Sequence, residues 1–199
     1  MRAVDMFAGW GGFTAGAEEA GIDVVWAANH WPLAVVTHQL NHPGTLHICQ
    51  DLRQADWAKL PAYEVLLAGP ACQGHSSASQ PRRRPYHDAL RATAWAVVDC
   101  ADETEPEAIV VENVPAFVRW RLFEHWKGAL EALGYTIDVR FLTASHFGAW
   151  QRCLPPRLWR PPSSGLWLTA YPERPSAWPS RARPTCYRLR GPCTIADAG

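Results

Sequence analysis

Val65-Leu66-Leu67-Ala68-Gly69-Pro70-Ala71-Cys72-Gln73-Gly74-His75-Ser76 runs from an unbroken apolar segment into a polar loop that carries a thiol. Short, uninterrupted apolar runs are the signature of strands covered on both faces, as in parallel sheets. Gly69-Pro70 then ends the strand, because proline cannot donate to a ladder. The cysteine therefore follows a buried strand directly, with no helix in between.

The same grammar repeats on either side. Downstream, Ala108-Ile109-Val110-Val111 empties into Glu112-Asn113-Val114; upstream, Asp5-Met6-Phe7-Ala8-Gly9-Trp10-Gly11-Gly12 reads as a strand, a glycine turn and a helix start. Strands are predicted at residues 4–7, 24–28, 46–49, 63–68, 108–111 and 135–142, and helices at 13–20, 33–40, 87–104 and 120–133. Pro32 suits a first helical turn, and Pro106 forbids continuation of the third helix. Strands alternating with helices predict an α/β fold with a doubly wound, mostly parallel sheet. Ligands of such sheets bind at the carboxyl ends of the strands, where the three quoted motifs fall.

With 199 residues the chain suffices for one ordinary domain with a core. No stretch reaches the roughly 18 apolar residues of a membrane span, and strand one begins too early for a secretory signal. Cysteines 49, 72, 100, 153, 186 and 193 show neither C-x-x-C nor metal-ligand spacing, so no metal is expected. Reduced thiols in a cytoplasmic setting would leave Cys72 free as a nucleophile. Residues 1–154 hold 12 Lys/Arg against 17 Asp/Glu, whereas residues 155–199 hold 7 Arg against 2 acids. An acidic body needs local patches, such as Arg82-Arg83-Arg84, to meet a polyanion.

Each motif alone has more than one reading. A glycine-rich strand–helix turn serves dinucleotides, S-adenosylmethionine or a plain tight turn; without a following Lys-Ser/Thr it is not a phosphate-binding P-loop. A free cysteine is most often a small buried hydrophobe, although the polar segment after Cys72 argues for exposure. Glu112 reads either as a capping or surface acid, or as a desolvated carboxyl held protonated for donation to a ring nitrogen.

Taken together, Phe7-Ala8-Gly9-x-Gly11-Gly12, Pro70-x-Cys72-Gln73 and Glu112-Asn113-Val114, in that order and spacing, resemble the cytosine-C5 DNA methyltransferase family over residues 1 to about 151. The resemblance implies a Rossmann-like S-adenosylmethionine-dependent methyltransferase domain acting on a cytosine flipped from double-stranded DNA. It implies Cys72 as the nucleophile on cytosine C6 and Glu112 as the group on the N3 and N4 edge, with Asn113 shaping the loop. For S-adenosylmethionine it implies Phe7 on the adenine and the turn Gly9, Trp10, Gly11 and Gly12 beside the methionine portion. His30, Trp31, Asp51, Leu52 and Pro70 complete the implied pocket, with Asp51 accepting from adenine N6.

The departures from the family pattern are specific. His30 stands where an acid holds the ribose hydroxyls, Ala71 replaces a proline, and His75 replaces a phenylalanine. Phe147-Gly148-Ala149-Trp150-Gln151 resembles the start of the family's Gln-x-Arg-x-Arg segment, but Cys153 and Pro155 occupy the arginine positions. Residues 1–154 are therefore expected to be the catalytic domain. Residues 155–199, with 9 prolines and no visible period, are expected to be an irregular tail without a target-recognition region. This text suggests a shifted frame or truncated gene, a sheet incomplete on its C-terminal side with exposed apolar surface, and a second polypeptide supplying recognition. Besides the DNA enzyme, two readings stay open: an S-adenosylmethionine-binding or interaction module without turnover, and an RNA cytosine-C5 methyltransferase. His38 and His42 read as surface or capping histidines, lacking a third ligand.

Overall fold

The computed structural model describes residues 1–71, 92–142 and 165–172. Seven strands form one sheet in the order β3-β2-β1-β4-β5-β7-β6. They are β1 (Arg2–Met6), β2 (Asp23–Asn29), β3 (Leu46–Cys49), β4 (Val65–Ala68), β5 (Ala108–Asn113), β6 (Tyr135–Leu142) and β7 (Gly165–Pro172). The first five are mutually parallel, and β7 runs antiparallel between β5 and β6. The helices are α1 (Gly12–Glu19), α2 (Pro32–Asn41), α3 (Trp95–Thr104) and α4 (Phe123–Ala132).

Alternation along the central strands divides the core in two. One face presents Val4, Met6, Leu66, Ala68, Ile109 and Val111 to α3 and α4. There Trp126 is fully buried, and its indole N–H donates to the Ala94 carbonyl at 2.8 Å. The opposite face presents Ala3, Val65 and Leu67 to a smaller cluster with Ala17 and Phe13 of α1. Central strands buried on both sides explain why the sequence shows apolar runs there instead of a polar–apolar alternation.

The elements predicted up to residue 142 are present, with boundary shifts. Of the predicted third helix, residues 95–104 are α-helical and follow a 3₁₀ turn at Ala92–Ala94; residues 87–91 lie outside the described residues. The structure departs from the sequence reading after residue 154, where no strand was expected. Gly165–Pro172 is β7, hydrogen-bonded on both sides and filling the place between β5 and β6. Leu166, Leu168 and Ala170 are buried in the larger core while Trp167, Thr169 and Tyr171 point the other way. The edge of β5 is thus paired by a strand from the part of the chain that was expected to be an irregular tail.

Register sets the level of the site. Met6 pairs with Ala68, and Ala68 with Val111. Phe7, Gly69 and Glu112 therefore occupy the next step along three adjacent strands, at their carboxyl ends.

Candidate active site

The turn after β1 is tied down by its own backbone. Ala8 N–H donates to Ala28 O and Gly11 N–H to Ala8 O, both at 3.0 Å. Phe7, Gly9 and Gly11 adopt φ of 61°, 55° and 92°. Gly11 is required on two counts: its φ lies in the left-handed region, and a Cβ there would sit 2.6 Å from His42 Nε2. Its neighbour Gly12 opens α1, whose first amide N–H groups lack helical partners.

Two cavities flank this turn and share Phe7 and Gly69. The first, about 410 Å³, is walled by Asn29, His30, Asp51, Leu52 and Arg53 together with Ala71. Arg53 grips Asp51 there: its Nε donates at 3.0 Å to Oδ1, and its backbone N–H donates to the same oxygen at 3.0 Å. These bonds hold the Asp51 carboxyl below the usual carboxylate range. Asn29 is also committed, its Oδ1 accepting from the Trp31 N–H at 3.0 Å.

The second cavity, about 630 Å³, is walled by Asp5, Gly12, Phe13, Leu67, Glu112 and Trp167. Burial raises the Glu112 carboxyl above its ordinary value. The adjacent Asn113 points to the other face and is 1% exposed. Its Nδ2 donates to the Pro70 carbonyl at 3.0 Å, and its Oδ1 accepts from Val114 N–H at 2.9 Å. Asn113 therefore latches the end of β5 onto the segment entering Cys72. Cys72 itself, His75, Arg82, Arg83, Arg84 and residues 147–155 lie outside the described residues.

Of the ten residues assigned to a cofactor from the sequence, Phe7, Gly12, His30, Asp51 and Leu52 line a cavity. Gly9 and Gly11 shape the turn, and Pro70 is buried as the acceptor for Asn113. Trp10 and Trp31 line neither of the two cavities; they pack edge to face, ring centroids 5.7 Å apart, and remain 58% and 46% exposed.

The sequence reading missed a polar network beneath the turn. Neither histidine is a surface residue, at 1% and 8% exposed, although His42 does stand at the C-cap of α2, its backbone N–H donating to His38 O at 2.8 Å. Thr14 Oγ1 donates to Asp5 Oδ2 at 2.7 Å and stands 3.1 Å from His38 Nε2. His38 Nδ1 lies 2.8 Å from His47 Nε2, and His42 Nδ1 lies 3.1 Å from Glu18. Among the described residues Asp5 Oδ1 has no partner, and burial pushes the Asp5 carboxyl up to about 7. Burial, reinforced by His42 and then His47, lowers His38 to about 4. No usable signal for it stands in the sequence, because on α2 Ala34 and His38 face inward while the apolar Leu33, Val36 and Leu40 are exposed.

A profile of the C-5 cytosine-specific DNA methylase family matches residues 1–152. The chain belongs to that family. Among its relatives is the type II methyltransferase M.AgeI of Thalassovita gelatinovora, 28% identical over 74% of this chain and 36% of the relative. Another is DNA (cytosine-5)-methyltransferase 1 of Rattus norvegicus, 29% identical over 76% of this chain and 10% of that one. The fold is shared with the S. pombe Dnmt2 methyltransferase structure at a TM-score of 0.65, with 20% identity, covering 89% of this chain and 51% of that one. The chain thus spans from a tenth to about half of the length of these three proteins. Among the described residues no helix is long and apolar enough to cross a membrane, and no group of three or more His, Cys, Asp or Glu side chains is arranged to hold a metal ion.

Proposed function

We propose that the chain carries the catalytic part of a DNA cytosine-C5 methyltransferase using S-adenosylmethionine, within residues 1–154, in the cytoplasm. The observation that supports this reading is the desolvated Glu112 carboxyl beside a latch, Asn113 to Pro70, that ties it to the entry of the Cys72 loop. The cofactor's chemistry fits the donor set: a cationic sulfonium ligand suits a cavity holding the Asp5 carboxyl with one unpartnered oxygen. Phe7 between the two cavities suits an adenosine lying over the turn, with Asp51 and His30 toward its polar edges.

When bound, S-adenosylmethionine supplies an electrophilic methyl group. The chain's own residues make the base reactive. The Cys72 thiolate adds to cytosine C6, and a proton from Glu112 at N3 takes up the charge pushed into the ring. C5 becomes enamine-like and is alkylated. A water molecule acting as base takes the C5 proton, the C6–S bond breaks to release Cys72 as thiolate, and the N3 proton returns to Glu112, which restores the ring. Asn113 keeps the two groups in one frame without touching the base. A second polypeptide supplying the target-recognition region belongs to the same proposal.

A duplex carrying 5-fluorocytosine, which has no C5 proton to lose, tests the chemistry. Wild type with S-adenosylmethionine is expected to form a denaturation-resistant adduct, absent in Cys72→Ser and at least 100-fold slower in Glu112→Gln. Two features favour the reading without turnover: His30 in place of the ribose acid and the Arg53 clamp on Asp51. Cofactor binding with no adduct on any strand, even with a recognition subunit added, establishes that reading instead. An adduct on RNA but not DNA reassigns the substrate.

A further inference from the structure

Trp167 lies on the strand that the sequence did not disclose, and the pairing places it beside Glu112. In the antiparallel β5–β7 ladder Glu112 is directly opposite Trp167, so both side chains share one face. Directly opposed residues hold their Cβ atoms roughly 4.5–5.5 Å apart, close enough for an indole to cover a carboxyl. Both line the larger cavity. The indole is itself braced edge-on against Phe13 of α1, centroids 5.4 Å apart at 87°. On its other flank, β6 sets Arg140 opposite Trp167 in register. The row across three strands reads carboxyl, indole, guanidinium.

We propose that Trp167 is a positioning residue for the methyl-transfer reaction, an indole wall that holds water and the Arg140 guanidinium away from the Glu112 carboxyl. The inference rests on the proposed role of Glu112, yet its physical content can be read without turnover. Burial is the cause that raises the Glu112 carboxyl above its ordinary value. Opening the wall admits water and gives Arg140 a line of approach, and both changes favour the anion. The other charged groups near this row are few. Asp5 lines the same cavity from β1, where as an anion it would favour a protonated Glu112. Arg140 is 2.7 Å from Asp138 through Nε and 63% exposed. The cavity-lining residues of α1 and β4, namely Gly12, Phe13, Gly16, Ala17 and Leu67, carry no charge.

The experiment is a carbon-13 NMR titration of glutamate carboxyls in the full chain, with Glu112→Gln identifying the resonance. Trp167→Phe keeps an apolar ring and should leave the Glu112 midpoint in place. Trp167→Ala and Trp167→Gln should lower it by about one pH unit, a tenfold fall in protonated fraction at neutral pH. The alkaline limb of the adduct-formation rate on the 5-fluorocytosine duplex should move down by the same amount in these variants. An unchanged midpoint in a folded Trp167→Gln protein, or equal movement in Trp167→Phe and Trp167→Gln, overturns the proposal. If wild type forms no adduct, the functional reading fails on its own account, while the titration still decides whether the wall exists.

Discussion

Replacing Asp5 with asparagine should stabilise the protein at alkaline pH and do nothing at acid pH. Asp5 is fully buried, keeps one oxygen unpartnered and has its carboxyl raised from 3.8 to about 7. A raised acid holds its proton in the folded chain where the unfolded chain has lost it. Its contribution is thus complete below pH 3.8 and disappears as the pH climbs through 7. At about 1.4 kcal/mol per pH unit, the ionised carboxylate at pH 8 costs roughly 4 kcal/mol against its neutral form. Asparagine keeps the acceptor for Thr14 and never ionises. His38 works in the opposite sense: lowered from 6.5 to about 4, its contribution is complete above pH 6.5 and is lost on descending to 4. Between pH 4 and 6.5 the two slopes nearly cancel in the wild type. Urea denaturation followed by circular dichroism from pH 4 to 8 reads all three cases. Asp5→Asn should gain stability over wild type progressively, by roughly 2–4 kcal/mol at pH 8. His38→Gln should expose the Asp5 slope as a fall of roughly 3 kcal/mol between pH 4 and 6.5. A difference between Asp5→Asn and wild type that does not vary with pH would refute the reasoning. The same substitution should weaken binding of S-adenosylmethionine by at least tenfold, because it removes the carboxyl group that the proposal sets toward the cationic sulfonium.

Asn113→Ala removes the acceptor of Val114 N–H and the donor to Pro70 O, two contacts of a residue 1% exposed. At about 1–3 kcal/mol per unsatisfied buried group, denaturation should show a loss of roughly 2–4 kcal/mol, with the adduct rate falling more than the cofactor affinity. Gly11→Ala places a Cβ against the His42 ring at a φ of 92°. Calorimetric titration with S-adenosylhomocysteine should then show binding weakened by more than tenfold; unaltered affinity would mean that the turn does not cradle the ligand.

Much of this architecture was legible because central parallel strands must be apolar on both faces, and runs such as Val65-Leu66-Leu67-Ala68 admit little else. The ends of β1, β4 and β5 carried their motifs openly for the same reason: the sheet ends there and polar text begins. β7 was hidden by its surroundings. Leu166, Leu168 and Ala170 alternate with Trp167, Thr169 and Tyr171 at a period of two, but prolines crowd both sides of the strand and Trp167 and Tyr171 blur the contrast. The histidine network was illegible for another reason. In α2 the polar His38 faces inward while Leu33, Val36 and Leu40 face water, so hydrophobic periodicity assigns the wrong side. Only the distant partners Thr14 and His47 make that burial affordable, and sequence spacing does not pair them.

The antiparallel insertion of β7 also fixes where new polypeptide can be grafted. Leu142 and Gly165 share one rung at the level of the Glu112 end of the sheet, whereas Pro172 exits beside Tyr135 at the opposite end. A segment spliced between residues 142 and 165 is tethered by both feet next to the chemistry, and each doubling of its length costs only about 0.6 kcal/mol in closure entropy. Material appended after residue 172 starts from the remote pole and must travel the height of the sheet to reach a base.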